Sequence, residues 1–180
     1  GVGLIAVGLM FKVGSAPFHA WTPAVYPGAP TPVTGFMAAC TKVAAFGAMA
    51  RIFYVAFGGM RTDWQPVFWA VAILTMVVGV VIALTQTDVK RMLAYSSIAH
   101  TGFILTGLVA ADSIGTAAVL FYLAVYGFMT VGAFAVVTLV RDAGGEATHL
   151  AKWAGLGKRA PLLAASFALF LLAFAGIPLT

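Results

Sequence analysis

Three ionisable residues, Lys12, Lys42 and His100, stand inside stretches that are otherwise apolar enough to cross a membrane. Lys42 lies 12 residues after Pro30 and 15 before Phe57, so at ~1.5 Å per residue a helix carries it about 18 Å from its start. Neither membrane surface is then within reach, and a lysine at the centre of a span costs about 2.5–3.5 kcal/mol on insertion scales. That cost predicts a polar partner or water beside it. Lys12 follows a run from Gly1 to Phe11 with no charge and is expected to be deep as well. His100 falls about ten residues into the span that begins near Lys90, roughly 15 Å in by helical rise. Ser96 and Ser97, four and three residues earlier, share its face and are expected to orient it or hold water. The chemistry open to such a set is proton exchange. A nearby carboxylate or ordered water can switch a desolvated lysine between charged and neutral, and an imidazole accepts and releases protons near neutrality. A lone helix histidine is more often merely packed; beside two lysines at comparable depth, His100 becomes a relay candidate.

The element carrying Lys12 is expected to be broken. Gly14-Ser15-Ala16-Pro17 and then Phe18-His19-Ala20-Trp21-Thr22-Pro23 follow it directly. Pro17 and Pro23 each remove a backbone donor, and Gly14 weakens the helix. A plain proline kink is the simpler alternative. Interrupted spans, however, occur where backbone lines a cavity rather than lipid, and the adjacency of Lys12 and Pro17 favours that arrangement. No carboxylate stands at mid-depth: Asp63, Asp88, Asp112, Asp142 and Glu146 all fall at span ends or in loops. Any acid that modulates the lysines is expected outside this chain.

The wider composition agrees with a membrane setting. Of 180 residues, 62% are hydrophobic and 8% charged, with a mean hydropathy of +1.04, which excludes an ordinary soluble domain. Apolar segments run roughly from Gly1 to Val13, Thr34 to Phe57, Val67 to Leu84, Val89 to Val109, Ile114 to Val140 and Pro161 to Pro178. Segments of this length and continuity are helices in lipid. The predicted fold is therefore all-α, a polytopic transmembrane bundle of about six segments forming part of one membrane domain over 1–180, with the first and last segments incomplete. Both ends read as cuts through a larger subunit. Lys90, Arg91, Arg141, Lys152, Lys158 and Arg159 gather on one side, against Arg51 and Arg61 on the other. The positive-inside bias makes loops 85–91 and 141–160 cytoplasmic. Lys90 and Arg91 are read as interfacial anchors, and the charges of 141–159 as solvated. Trp64, Trp69 and Trp153, at span ends, are read as interface anchors. The single cysteine, Cys40, excludes iron-sulfur clusters and Cys-rich zinc sites in this chain and is read as a small packing residue. Gly1-Val2-Gly3-Leu4-Ile5-Ala6 fits a dinucleotide fingerprint only superficially, since it opens a membrane helix with no strand before it.

Several of these stretches together resemble the antiporter-like membrane subunits of respiratory complex I. They are Phe11-Lys12, Pro17-Phe18-His19-Ala20-Trp21-Thr22-Pro23, Tyr26-Pro27-Gly28-Ala29-Pro30-Thr31-Pro32-Val33-Thr34, Thr41-Lys42, Asp88 to Gly102, and Ala175-Gly176-Ile177-Pro178-Leu179-Thr180. Within that family the stretch from Tyr26 to Thr34 is most similar to the N branch of the bacterial NADH-quinone oxidoreductase, and differs from the L and M branches and from Mrp-type sodium/proton antiporters. The resemblance implies an inverted-repeat fold in which Lys12 is the lysine of a discontinuous helix, Lys42 the connecting lysine of the next, and His100 the histidine of a central hydrophilic axis. It implies a second break beginning at Gly176-Ile177-Pro178, a further lysine beyond Thr180 and a glutamate before Gly1. It also implies that NADH, FMN, iron-sulfur clusters and quinone belong to partner subunits, that neighbouring antiporter-like and small membrane subunits are the partners, and that the setting is the bacterial inner membrane. The expected role is proton translocation. A sodium/proton antiporter on the same helices and a structural subunit with inert lysines are the alternatives.

Overall fold

The computed structural model describes residues 1–142 and 144–176. Helix α1, Val2–Val13, ends at Gly14, whose φ of 75° and ψ of 37° turn the chain out of the helix. A Cβ there would come within 2.6 Å of the Thr22 hydroxyl. The chain resumes as α2, Trp21–Gly28, and after the Pro30 elbow as α3, Thr31–Arg51, which runs on into a π-helical turn at Ile52–Ala56. Then come α4, Arg61–Ala83, α5, Val89–Ala110, and α6, Ser113–Leu139. Asp88 and Asp112 open α5 and α6 as N-caps, accepting from the amides of Arg91 and Gly115. A hairpin of two short strands, β1 at Arg141–Asp142 and β2 at Gly145–Glu146, leads to a short α7, Leu156–Arg159, and to α8, Pro161–Phe174.

The expected helical membrane bundle is present. Four helices among the described residues are long and apolar enough to cross a membrane, and the helices at either end, Val2–Val13 and Pro161–Phe174, are shorter apolar ones. Among the described residues, the small hairpin and an isolated antiparallel bridge between Asp88 and His149 are added to the all-α reading. The second break was expected to begin at Gly176: α8 ends at Phe174 and Gly176 takes a φ of 76°, while Ile177 to Thr180 lie outside the described residues.

Packing follows two pairs, α4 on α5 and α3 on α6. Glycines allow the first: the position of a Cβ on Gly79 is 2.5 Å from the Ala99 amide nitrogen, and on Gly102 it is 2.8 Å from the Ala72 carbonyl. The two backbones touch there as side chains would forbid. Large apolar residues face outward along α4, among them Val67, Ile73, Val77 and Val81, as expected of helices whose surroundings are not water.

Three expectations about individual residues need correction. Trp64 is buried, not an interface anchor; it packs on Phe53 and Phe68 with centroids 5.3 and 5.4 Å away and donates its indole N–H to the Phe57 carbonyl. Cys40 is exposed, on the outer face of α3, rather than packed. Lys90 is not an anchor either. It is 3% exposed and pairs with Glu146, so the charges of the hairpin are only partly solvated.

Candidate functional site

Apolar residues collect in two clusters, one at each end of the bundle. On α3 the first holds Ala45, Phe46 and Met49 and the second Ala38. On α5 the split runs between Ala94 and Ile104, and on α6 between Leu123 and Ala133. Buried polar side chains gather in these gaps, beside the apolar Ala39, Ile98 and Ala99: Lys42 on α3, Ser97, His100 and Thr101 on α5, Tyr126 and Thr130 on α6. A polar layer thus crosses the core at mid-depth with apolar packing above and below.

Lys42 is 2% exposed. Its ammonium donates to the Ser97 carbonyl and the Thr101 hydroxyl and lies 5.3 Å from the centroid of the Tyr126 ring, a cation-π distance. Two oxygens and a ring face in place of a carboxylate let the side chain be held in either charge state. Thr101 in turn reaches the Val13 carbonyl at 3.0 Å and the Ser97 carbonyl at 3.1 Å. Val13 is the last residue of α1, and the turn at Gly14 leaves its carbonyl without a helical donor. The break is served from the other side too: the Ala16 amide donates to the Thr75 hydroxyl of α4 at 3.0 Å, and the Trp21 indole to the Phe11 carbonyl at 2.7 Å. The interruption near Pro17 is therefore a true discontinuity whose free backbone groups face protein, not a bend in one continuous helix.

His100 shares the layer. Its Nδ1 is 2.7 Å from the Tyr122 hydroxyl, and its ring is 5.2 Å from that of Tyr126 and 5.3 Å from that of Phe174. Tyr126 thus stands between Lys42 and His100. The expected orientation of His100 by Ser96 and Ser97 is replaced by this phenol, and the Ser97 carbonyl is committed to Lys42.

Lys12 does not join this group. Its side chain is exposed on α1, and the connection from the break to Lys42 passes through the Val13 carbonyl and Thr101. Tyr122, Tyr126 and Thr130 were not singled out from the sequence, although their four-residue spacing draws a polar stripe down a helix with no charge. No cluster of metal-ligating side chains occurs among the described residues.

Comparison with known proteins identifies the family of the chain. The family described as NADH:quinone oxidoreductase/Mrp antiporter, transmembrane, matches residues 1–180. NADH-quinone oxidoreductase subunit N 3 of Streptomyces griseus is 71% identical over the whole of this chain, which covers 32% of it. In a structure of respiratory complex I from Thermus thermophilus with bound aureothin, one chain superposes with a TM-score of 0.80 at 39% identity, covering 98% of this chain and 38% of that one. A chain of the Mrp complex from Dietzia sp. DQ12-45-1b gives a TM-score of 0.87 at 29% identity, with 94% and 32% covered. The chain spans about a third of the length of the curated relatives it matches. It belongs to the NADH:quinone oxidoreductase/Mrp antiporter transmembrane family.

Proposed function

We propose that, as a member of this family, the chain is the central part of a proton-translocating membrane subunit of an NADH-quinone oxidoreductase, with Lys42, His100 and Lys12 as its relay groups. The observation that carries this is Lys42: an ammonium 2% exposed, held by a carbonyl and a hydroxyl with no carboxylate among its partners. Either protonation state can be accommodated there, which is what a site that loads and unloads a proton requires. Tyr126, against both Lys42 and His100, links the two groups across the layer. Lys12 reaches the relay from outside this chain's core. An ammonium facing lipid is costly, so its face of α1 is covered in the whole subunit by protein that supplies a polar partner.

The redox chemistry of NADH and quinone, with flavin and iron-sulfur clusters, takes place in partner subunits and drives this one through the membrane arm. The cation-rich loops at 85–91 and 141–160 face the cytoplasm, with the chain in the bacterial inner membrane. An Mrp-type sodium/proton antiporter is the second reading, supported by the 0.87 superposition. The 71% identity to an NADH-quinone oxidoreductase subunit weighs for the first.

The test uses the assembled complex in membrane vesicles, with Lys42→Ala and Lys12→Ala in the full subunit. Loss of proton pumping, alone or together with NADH oxidation, is expected from each. Assembled complexes with unchanged pumping and oxidation would sink the relay, and sodium-driven proton uptake by the isolated subunit would establish the antiporter instead.

A further inference from the structure

At the loop end of the bundle a second polar group ties three parts of the chain together. The Lys90 ammonium, on the first turn of α5, donates to the Ala29 carbonyl at 3.0 Å and pairs with Glu146 at 3.1 Å. The same Glu146 oxygen accepts the Thr31 hydroxyl, at the first residue of α3. Backbone bonds press the loop onto α5 from both sides, from the Val89 amide to the Thr148 carbonyl and from the Leu150 amide to the Thr87 carbonyl, each 2.8 Å. Lys90 is almost entirely buried and Glu146 a quarter exposed, with side-chain values of 4% and 25%.

Helical periodicity links this group to the relay. Thr31 and Lys42 are separated by 11 residues, as are Lys90 and Thr101, while Lys90 and Ser97 are separated by seven. At 3.6 residues per turn these spacings return to within about 20° of the same face. Lys42 and its two acceptors therefore lie two to three turns down the same helix faces that the Lys90–Glu146 group clamps. α3 and α5 meet each other only narrowly; α6 packs on both, and α2, which leads through the Ala29–Thr31 elbow into α3, packs on α5.

We propose that Lys90 and Glu146 are positioning residues for the Lys42 relay: their ion pair locks the Ala29–Thr31 elbow to the start of α5 and so sets the separation at which the Lys42 ammonium meets Ser97 and Thr101. The inference rests on the relay reading of Lys42. Removing either charge frees the elbow and moves α3 against α5 at the depth of Lys42, and the group changes its balance between the two protonation states. The groups facing Glu146 are Lys90 of α5, Thr31 of α3 and Arg141 of β1. Those facing Lys42 are Ser97 and Thr101 of α5 and Tyr126 of α6, with His100 beyond the Tyr126 ring.

The experiment measures proton pumping per assembled complex against pH in vesicles for Glu146→Gln, Lys90→Met, the double Lys90→Met/Glu146→Gln, the mild Thr31→Val, and Lys42→Met. A positioning role predicts that the pH midpoint of pumping moves by about a unit, a tenfold change in the proton equilibrium, in Glu146→Gln and in the double variant, with a smaller shift in the same direction for Thr31→Val. A purely structural ion pair predicts fewer assembled complexes with an unchanged midpoint, and recovery in the double variant, where no buried charge is left unpaired; that result overturns the proposal. Thr31→Val alters no charge, so its midpoint decides the matter even where the charge variants fail to assemble. Lys42→Met separates the two readings. If it pumps normally, the relay itself is wrong; if it is silent while the clamp variants keep the parental midpoint, only the positioning role is wrong.

Discussion

Lys42 and Val13 share one hydroxyl: Thr101 accepts from the Lys42 ammonium and reaches the Val13 carbonyl at 3.0 Å. A single side chain thus joins a buried charge to the backbone exposed by the helix break. The turn at Gly14 that ends α1 is what makes that carbonyl available.

Thr101→Val is expected to cost about 1–3 kcal/mol, because it strands a buried carbonyl and removes one of the two oxygens on Lys42. Thermal unfolding of the purified complex measures the loss, and pumping in vesicles should fall with it. Thr101→Ser, which keeps the hydroxyl, should retain most of both. Equal behaviour of Val and Ser would mean that the bridge has no part in transport.

Tyr122→Phe removes the hydroxyl 2.7 Å from His100 Nδ1 and leaves the ring. Proton pumping is expected to drop several-fold with assembly intact, and His100→Phe to drop at least as far. The double variant should be no worse than His100→Phe alone, since two groups acting in one step are not additive. Additive losses would place them in separate roles.

Gly79→Ala tests the α4–α5 contact. The new Cβ would lie 2.5 Å from the Ala99 amide nitrogen, a backbone atom that cannot rotate away. Overpacking of this kind costs about 1–3 kcal/mol, to be read as reduced assembly and a lower melting temperature. Gly127→Ala, on α6 with open space at its Cβ position, serves as the control and should be silent.

The clamp at the loop has its own pH dependence. Burial pushes the Glu146 carboxyl up, but the Thr31 hydroxyl, the Lys90 ammonium and the Arg141 charge together outweigh it and hold the group below its ordinary value. A depressed carboxyl stabilises the folded loop at every pH above its unfolded value, and that stabilisation goes only as pH falls through the lower folded value. Hydrogen exchange at the Val89 and Leu150 amides, corrected for its intrinsic pH dependence, should therefore stay slow from neutral pH down to the ordinary carboxylate range and rise only beneath it. Opening already between neutrality and that range would contradict the assignment. Glu146→Gln should open the loop at all pH values, since a buried ammonium left without its partner is destabilising by on the order of 3–5 kcal/mol.

Much of this is legible in the sequence. Apolar runs with so few charges admit only helices in a bilayer, and a lysine 12 residues beyond Pro30 has no route to the surface. The break between Lys12 and Pro23 followed from Gly14 and two prolines, whose backbone chemistry is local. Other properties are not local. Glu146 looked like a loop charge because nothing in its neighbourhood along the chain marks Lys90 or Thr31 as its partners, and Lys90 looked like an anchor for the same reason.

The amino-acid sequence by itself determined the long apolar helices, the discontinuity and the place of Lys42 and His100 well inside their helices, since these depend on composition, rise per residue and backbone preference. Which groups meet at that depth was decided only by the tertiary structure. Close packing of α4 on α5 through Gly79 and Gly102, and of α3 on α6, brings Thr101, Tyr126 and Tyr122 to the buried charges while leaving Lys12 exposed at the side. Contacts between distant helices arise from the face each turns inward, and that choice minimises unpaired polar groups and voids over the whole bundle rather than within any one segment.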